Sequence, residues 1–198
     1  MDDPHSCIDP ALRSMVAFDI ETTGLDPSEC RITAAAVHDG RGLSKIFLFK
    51  TDEEERDPLA REEFLAILDS APRLCAFNGV RFDLPFMAKR WDISPEVIGR
   101  WVLKTLDVYE ACKLGLRQTF RLSQLLSVNG LESKTGDGAS AIQLAKKGLW
   151  DELGAYCLQD TRMTYLATAQ LSVALPMHTA SGRRLGMNRL KPGLFCVW

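Results

Sequence analysis

Alternating apolar and polar positions near the start of the chain predict three neighbouring strands. Over residues 14–21 the alternation has a period of two, as in a strand with one buried face. One face carries Val16, Phe18 and Ile20, and the other carries Ala17, Asp19 and Glu21. Apolar runs over 31–38 and 43–50 predict two more strands, with a tight turn between them at Asp39-Gly40. The three strands are close enough in sequence to form a meander.

Helical patterns dominate the rest of the chain. Asp57 suits the capping position of a helix that begins at Pro58. Residues 74–77 predict a short strand, 105–111 a strand or extended segment, and the charged run 52–57 a solvated loop. Further helices are predicted over 83–91, 95–103, 121–128, 139–147 and 150–173. This order indicates an α/β fold in which a mixed five-stranded sheet has helices on both faces.

Composition is that of one ordinary globular domain, since 46% of the 198 residues are hydrophobic and 25% are charged. We expect residues 1–12 to form a loose leader, 13–174 the domain, and 175–198 a basic extended tail packed on it. No apolar run approaches the roughly 20 residues that span a bilayer, and the first residues lack the order of a signal peptide. An intracellular protein, cytoplasmic or nuclear, with no membrane partner is expected.

Cysteine spacing and net charge further restrict the class of protein. The six cysteines show neither paired nor zinc-finger spacing, so reduced thiols are expected. A net charge of −2 argues against a surface that coats nucleic acid generally. Five basic and no acidic residues follow Asp160, so residues 1–160 carry −7 and the remainder +5. The basic end is either a solvated segment or one that contacts phosphate.

Asp19 and Glu21 are the first candidates for chemistry. They share one face at the end of a mostly buried strand, where two carboxylates repel each other and lose hydration. A divalent cation between them would relieve both costs, and oxygen ligands favour Mg²⁺ or Mn²⁺ over zinc. Two solvated acids at a strand end would be the commoner explanation of an isolated Asp-x-Glu.

Two later segments carry further acids. A strand ends near Asn78, turns at Gly79 and presents Asp83 at the start of a helix, where the carboxylate would either bind a ligand or cap the helix. In the last predicted helix, the i,i+4 spacing puts Tyr156 and Asp160 on one face. Each of these segments is common in proteins when taken alone.

Together, the three segments resemble the DEDD superfamily of 3′→5′ exonucleases. Residues 18–25 (FDIETTGL) match its first motif, 78–83 (NGVRFD) the N-x₃-F-D form of its second, and 156–160 (YCLQD) its third. The resemblance spans about residues 14–172. It implies a ribonuclease H-like fold and metal-dependent hydrolysis of phosphodiester bonds from a 3′ end, with release of nucleoside monophosphates.

The third motif resembles the tyrosine branch of that superfamily, DEDDy, because Ala155 stands where the histidine branch needs His. The closest resemblance is to stand-alone relatives of family B DNA polymerase proofreading domains. It implies two Mg²⁺ or Mn²⁺ ions, with Asp19 bridging both, Glu21 and Asp160 on the nucleophile side, and Asp83 on the other ion. Tyr156 would be a neutral phenol that orients the attacking water.

The same resemblance implies a set of substrate residues. Thr22, Thr23 and Leu25 would line the pocket for the terminal nucleotide, with Asn78 and Phe82 beside it. Candidates for phosphate contacts are Arg81, Lys134 and Arg162. Turn formation and packing are alternative roles for each of these residues. The implied partner is the 3′ end of single-stranded DNA or RNA, with DNA favoured, and a polymerase or other replication or repair protein is a further candidate.

Two alternatives from other classes stay open. A nucleic-acid-binding module of the same fold would have weak or no catalysis, although such modules usually lack one of the acids. A ribonuclease H or resolvase-type endonuclease also uses clustered carboxylates, although the second and third motifs argue against it. A circular single-stranded substrate distinguishes an endonuclease from an exonuclease, because an exonuclease leaves the circle intact.

Overall fold

A five-stranded sheet forms the centre of the protein in a computed structural model that describes residues 14–116, 121–128, 138–172, 177–178 and 184–185. Its strands are β1 (Met15–Thr22), β2 (Ile32–His38), β3 (Ser44–Leu48), β4 (Arg73–Ala76) and β5 (Thr105–Asp107). They lie in the order β3-β2-β1-β4-β5. β2 runs antiparallel to β1 and β3, whereas β4 runs parallel to β1 and β5. The predicted mixed five-stranded sheet is confirmed.

Helices cover both faces of the sheet, as predicted. They are α1 (Asp52–Arg56), α2 (Pro58–Ser70), α3 (Asp83–Trp91), α4 (Pro95–Lys104), α5 (Val108–Leu116), α6 (Leu122–Val128), α7 (Gly138–Lys146) and α8 (Trp150–Ser172). Side chains of α2, α3 and α4 pack on one face, and those of α5 to α8 pack on the other. A separate pair of two-residue strands, β6 (Met177–His178) and β7 (Arg184–Leu185), lies in the segment expected to be an extended tail.

The alternation along β1 divides its residues between the two layers. Phe18 and Ile20 are buried in the larger apolar cluster, together with Phe64 of α2. On the opposite face, Ala34 and Ala36 of β2 are fully buried against α8. Their small side chains allow the helix to lie close to the sheet. α8 therefore crosses the centre of the sheet beside the last residues of β1.

The parallel strands determine where functional residues can meet. Because β1, β4 and β5 run in the same direction, their carboxyl ends lie at one edge of the sheet. β1 ends there with Glu21 and Thr22, β4 leads into Asn78, and β5 ends at Asp107. This carboxyl edge collects acidic and polar residues from three distant parts of the chain.

The charged run 52–57 is not the predicted solvated loop, because residues 52–56 form α1. Its Glu55 is only 1% exposed. The pairing of β1 with β2 shifts register between Glu21 and Thr22, and one oxygen of Glu55 accepts a hydrogen bond from the Ile32 N–H at 2.9 Å. Two hydrogen bonds from Arg90 of α3 satisfy the carboxylate. The segment forms α1 rather than a solvated loop because its Glu55 supplies a buried acceptor where the β1–β2 pairing is irregular.

A second correction concerns residues 105–111, predicted as strand or extended. Only Thr105–Asp107 is strand, and α5 begins at Val108. The change occurs where the Asp107 carboxylate accepts hydrogen bonds from the N–H groups of Tyr109 and Glu110. These are the contacts of a helix N-cap, so the acid ends the strand by starting the helix.

Other expectations have mixed outcomes. Asp57 caps α2 as predicted, by accepting from the Leu59 N–H at 3.0 Å. Cys30, Cys75, Cys112 and Cys157 are free thiols, as expected, while Cys7 and Cys196 lie outside the described residues. The 1–12 leader and most of the 175–198 tail also lie outside them. Within the part of the chain that the structure describes, no helix combines the length and apolarity needed to cross a membrane.

The buried ion pair gives a first testable prediction. Glu55→Ala leaves the Ile32 N–H and the Arg90 guanidinium without their buried acceptor, so the free energy of unfolding should fall by about 3 kcal/mol. Urea denaturation measures the change. The matched control is Glu63→Ala, because Glu63 pairs with Lys45 at the surface and should contribute less than about 1 kcal/mol. Equal losses in the two variants would contradict the structural role given to Glu55.

Candidate active site

Asp19 and Glu21 lie on the same face of β1, as the alternation predicts. Glu21 is 8% exposed and Asp19 is partly buried. Their carboxylate oxygens and the Sγ atom of Cys157 in α8 all lie within 4.8 Å of one another. Three atoms that could bind a metal ion therefore converge where α8 crosses the end of β1.

Asp83 approaches the same place from the other side of β1. The residue is 4% exposed, and its Oδ1 accepts a hydrogen bond from the Ile20 N–H at 2.9 Å. It does not serve as the side-chain cap of α3, because the N-cap residue of that helix is Phe82, which makes no side-chain capping bond. The second motif is thus joined directly to the strand that carries the first.

The turn before Asp83 needs its particular residues. Asn78 adopts a left-handed conformation with φ of 64°, which Asn tolerates better than most residues. A Cβ atom on Gly79 would lie 2.5 Å from the Cβ of Ala76 and 3.5 Å from Oδ2 of Asp83. The contact with Ala76 would be a clash, so only glycine lets the backbone turn this close to the end of β4.

Tyr156 and Asp160 occupy one face of α8, as the i,i+4 spacing predicts. Each is 7% exposed. Burial raises the pKa of Tyr156, and the negative charges of Asp160, Glu21 and Asp19 raise it further, as does its hydrogen bond to Asp160. The tyrosine is therefore a neutral phenol at physiological pH in this arrangement.

Cys157 was predicted only as a reduced thiol, and its position at the centre of the acids was missed. The side chain is fully buried, and its Sγ donates to the backbone oxygen and to Oδ2 of Asp19, at 3.7 Å each. Burial raises the pKa of the thiol well above its usual value, and the charges of four carboxylates raise it further. Those carboxylates belong to Asp19, Glu21, Asp160 and Asp83. The one available signal was the place of Cys157 inside the Tyr-x₃-Asp motif.

The Asp83 carboxyl titrates abnormally. Burial, with a contribution from the negative charge of Asp107, raises its pKa from 3.8 to about 7, although the hydrogen bond from Ile20 acts in the opposite direction. Loss of hydration is thus the main cost of the ionised form. A bound cation would favour the ionised form, because its positive charge would replace the stabilisation that hydration no longer provides.

The donor set suits a hard divalent ion. Asp19, Glu21, Asp83 and Asp160 offer carboxylate oxygens, which are the ligands that Mg²⁺ and Mn²⁺ prefer. The Cys157 thiol stays protonated beside Asp19 and is a poor ligand for such ions. The residues present therefore fit a magnesium or manganese site built from oxygen atoms.

The predicted substrate residues at the end of β1 and in the turn after it differ in hydrogen bonding and exposure. Thr22 donates from its hydroxyl to the Gly24 carbonyl at 2.6 Å, and the Thr23 hydroxyl accepts from the Arg31 N–H at 3.0 Å. Both threonines thus stabilise the turn. Leu25, at the tip of this turn, is 80% exposed. An apolar side chain of this size is left uncovered at the carboxyl edge.

The remaining predicted substrate residues are only partly brought to the site. Phe82 packs against Phe86 with ring centroids 5.5 Å apart, and the exposed Arg81 forms an ion pair with Glu110 of α5. Arg162 lies near His38, at the far end of the β1–β2 pairing from Glu21, because the pKa of His38 is lowered first by burial and then by the charge of Arg162. Lys134 lies outside the described residues.

Asp107 is a site neighbour that sequence reasoning missed. It is 2% exposed, and its carboxylate accepts from the N–H of Asn78 at 2.8 Å and of Val80 at 3.0 Å. It therefore contacts the backbone of the second motif. Its place at the end of a short strand, directly before a helix, was the only local signal.

Comparison with known protein families identifies the class of protein. The family model of the RNase H superfamily matches residues 16–171. The chain therefore belongs to the RNase H superfamily. The predicted ribonuclease H-like fold is confirmed. No curated protein matches the sequence.

Solved structures share the fold at low sequence identity. A family B DNA polymerase from the hyperthermophilic archaeon Pyrobaculum calidifontis superposes with a TM-score of 0.60 at 19% identity, over 81% of this chain and 25% of the polymerase chain. A nuclease in its apo form gives 0.56 at 16%, over 82% and 75%. Brucella melitensis NrnC with bound Mg²⁺ gives 0.50 at 19%, over 80% and 73%. The chain thus spans about a quarter of the polymerase chain.

The raised pKa of Asp83 predicts how the metal-free protein responds to pH. The folded carboxyl titrates near pH 7 and the unfolded one near 3.8, so between these values the folded state binds more protons. The free energy of unfolding should therefore fall as pH rises from about 4 to 7, and Asp83→Asn should flatten that slope. Urea denaturation in EDTA at several pH values measures it.

Asp69→Asn is the control for this experiment. Hydrogen bonds from Trp101 and Arg100 lower the pKa of Asp69, so its titration lies below the window and the slope of the parent should persist. An Asp83→Asn variant with the same slope as the parent would contradict the raised pKa.

Proposed function

We propose that the protein is a 3′→5′ exonuclease of the DEDDy type that acts inside the cell on single-stranded nucleic acid. It would hydrolyse the terminal phosphodiester bond at a 3′ end and release nucleoside monophosphates, with DNA favoured over RNA. The observation that carries the proposal is the convergence of four carboxylates and one tyrosine, from three separate motifs, at the carboxyl edge of β1, β4 and β5.

Four acids would hold two Mg²⁺ or Mn²⁺ ions, namely Asp19, Glu21, Asp83 and Asp160, with Asp19 shared between both. Bound ions of this kind lower the pKa of an attacking water and neutralise charge on the scissile phosphate. The protein's own contribution is to hold the carboxylates in place. Asp83 is fixed by the Ile20 N–H, and Asp19 by the regular strand pairing of β1 with β2.

Tyr156 would orient the attacking water. Its phenol is held by Asp160, and its raised pKa keeps the hydroxyl protonated. A neutral hydroxyl both donates and accepts a hydrogen bond, but it is a poor base. Its role is therefore to align the water rather than to remove the proton.

The turn after β1 would receive the terminal nucleotide. Leu25 is exposed at its tip and offers an apolar surface for the end base, while Thr22 and Thr23 fix the shape of the turn. Asn78 and Phe82 would border the same pocket from the second motif. Of the two candidate phosphate contacts that the structure describes, Arg81 is closer to the second motif than Arg162, because Glu110 holds its guanidinium there.

The comparisons support parts of this proposal. NrnC from Brucella melitensis has the same fold and binds Mg²⁺, which is consistent with a divalent ion at the oxygen-rich site. The likeness to a family B DNA polymerase makes a replication or repair polymerase a candidate partner. An endonuclease of the same superfamily is the second candidate function, since the superfamily match covers that class as well.

Linear and circular substrates test the proposal directly. With Mn²⁺, 5′-labelled single-stranded DNA and RNA of equal sequence should shorten stepwise from the 3′ end, and a circular single strand should stay intact. Cleavage of the circle would favour the endonuclease, and binding without hydrolysis would favour a binding module. Faster degradation of RNA than of DNA would reverse the stated preference.

Two variants separate the roles of Asp19 and Tyr156. Asp19→Ala removes the ligand proposed to be shared by both ions, so the rate should fall by several orders of magnitude. Tyr156→Phe keeps the ring and all four acids but removes the hydroxyl that is bonded to Asp160 and proposed to orient the water, so the rate should fall by about 10- to 1000-fold. Single-turnover rates at saturating Mn²⁺ measure both effects.

Metal and substrate binding provide the controls for these variants. Tyr156→Phe should bind Mn²⁺ and a single-stranded 3′ end as the parent does, because it retains every carboxylate. A Tyr156→Phe variant as active as the parent between pH 6 and 9 would mean that the tyrosine is only a packing residue of α8.

A further inference from the structure

The buried carboxylate of Asp107 makes two sets of hydrogen bonds. Towards its own helix, Oδ1 accepts from the N–H groups of Tyr109 at 3.0 Å and Glu110 at 3.2 Å. Towards the second motif, Oδ1 also accepts from the Asn78 N–H at 2.8 Å, and Oδ2 accepts from the Val80 N–H at 3.0 Å. The first pair of bonds is an ordinary helix cap. The second pair joins β5 to a turn 27 to 29 residues away in sequence.

The turn held by Asp107 leads directly to Asp83. The Asn78 carbonyl accepts from the Phe82 N–H at 3.0 Å, and the Gly79 carbonyl accepts from the Leu84 N–H at 2.9 Å. Fixing the Asn78 and Val80 N–H groups therefore fixes the direction in which α3 begins. Asp83 is the first residue of that helix.

A second link joins the same two segments at the surface. Glu110, whose N–H is bound by Asp107, forms an ion pair with Arg81 through Nε at 2.5 Å. The turn of the second motif is thus held to α5 by a buried carboxylate and by a surface ion pair. The Asp107 link is the better shielded from solvent, since Asp107 is 2% exposed whereas the Arg81 side chain of the ion pair is 60% exposed.

We propose that Asp107 is a positioning residue for the metal site, because its bonds to Asn78 and Val80 set the place of the Asp83 carboxylate beside β1. The inference rests on the proposed function for its effect on activity. In this role Asp107 contacts backbone N–H groups of the second motif. It acts through the backbone of the turn, so its loss should weaken metal binding rather than remove a ligand.

Asp107→Ser separates positioning from helix capping. A serine hydroxyl can accept from Tyr109 and Glu110 as an N-cap, but its shorter side chain does not span to Asn78 and Val80. We expect faster amide hydrogen exchange at those two residues and unchanged exchange in α5. The Mn²⁺ concentration for half-maximal activity should rise by about tenfold, as is typical when a residue that orients a metal ligand is lost. KM for the oligonucleotide should stay unchanged.

Asp39→Ser is the matched control. Asp39 also organises a turn, with Oδ1 accepting from the N–H groups of Arg41 at 2.8 Å and Leu43 at 3.0 Å, but it lies at the opposite edge of the sheet. Its loss should leave the Mn²⁺ dependence unchanged. Equal shifts in both variants would overturn the proposal, because the effect would then reflect general destabilisation.

Binding measured without activity distinguishes this inference from the proposed function. If the parent protein hydrolyses no nucleic acid, the proposed function fails, while Mn²⁺ titration calorimetry still compares Asp107→Ser with the parent. Faster exchange at Asn78 and Val80 with unchanged Mn²⁺ affinity would overturn the positioning role. Asp107→Asn, which preserves size, is the second variant. Failure of both variants to fold would assign Asp107 a purely structural role and also overturn the proposal.

Discussion

The hydrogen bond from the Ile20 N–H to Asp83 is the interaction on which the rest of the site depends. β1 pairs with β4 only as far as Ala17, so beyond that point the β4 side of β1 has no strand to accept its N–H groups. A buried N–H without an acceptor is costly. The Asp83 carboxylate replaces the missing strand at Ile20 and so carries the second motif to the residues of the first.

This arrangement has an electrostatic cost that the fold must offset. Asp83 and Asp107 are both buried, and burial raises the pKa of each. The backbone N–H groups of Asn78, Val80 and Glu110 partly compensate Asp107, whereas Asp83 has fewer donors. Much of the apolar core lies on the α2 to α4 face of the same strands. We infer that the stability of this layer offsets the cost of gathering acids at the carboxyl edge.

Local pattern was sufficient for most of the fold and for the three motifs. The period of two along β1 correctly separated Phe18 from Asp19, and the i,i+4 spacing correctly paired Tyr156 with Asp160. These features depend on residues within one turn or one strand, so the sequence displays them directly. The superfamily match then agrees with the fold that the motifs implied.

The misses share a physical cause, which is that their partners are distant in sequence. Glu55 looks like part of a solvated charged run until Ile32 and Arg90 are brought to it. Asp107 looks like part of a strand or extended segment until Asn78 is brought within 2.8 Å. Cys157 looks like any apolar helix residue until β1 lies beneath it. The periodic pattern of apolar and polar residues does not indicate such contacts, because they exist only after the sheet has formed.

The small residues of β2 are as much part of the site as the acids. Ala34 and Ala36 contribute almost no volume beneath α8, and Gly154 of that helix faces Ile46 of β3, where an added Cβ would lie 3.4 Å away. The small size of these residues therefore sets the separation between the sheet and α8. A chain that kept every acid but gained bulk along this seam would lose the meeting of Asp19 with α8, so inspection of the acids alone would not reveal an inactive relative.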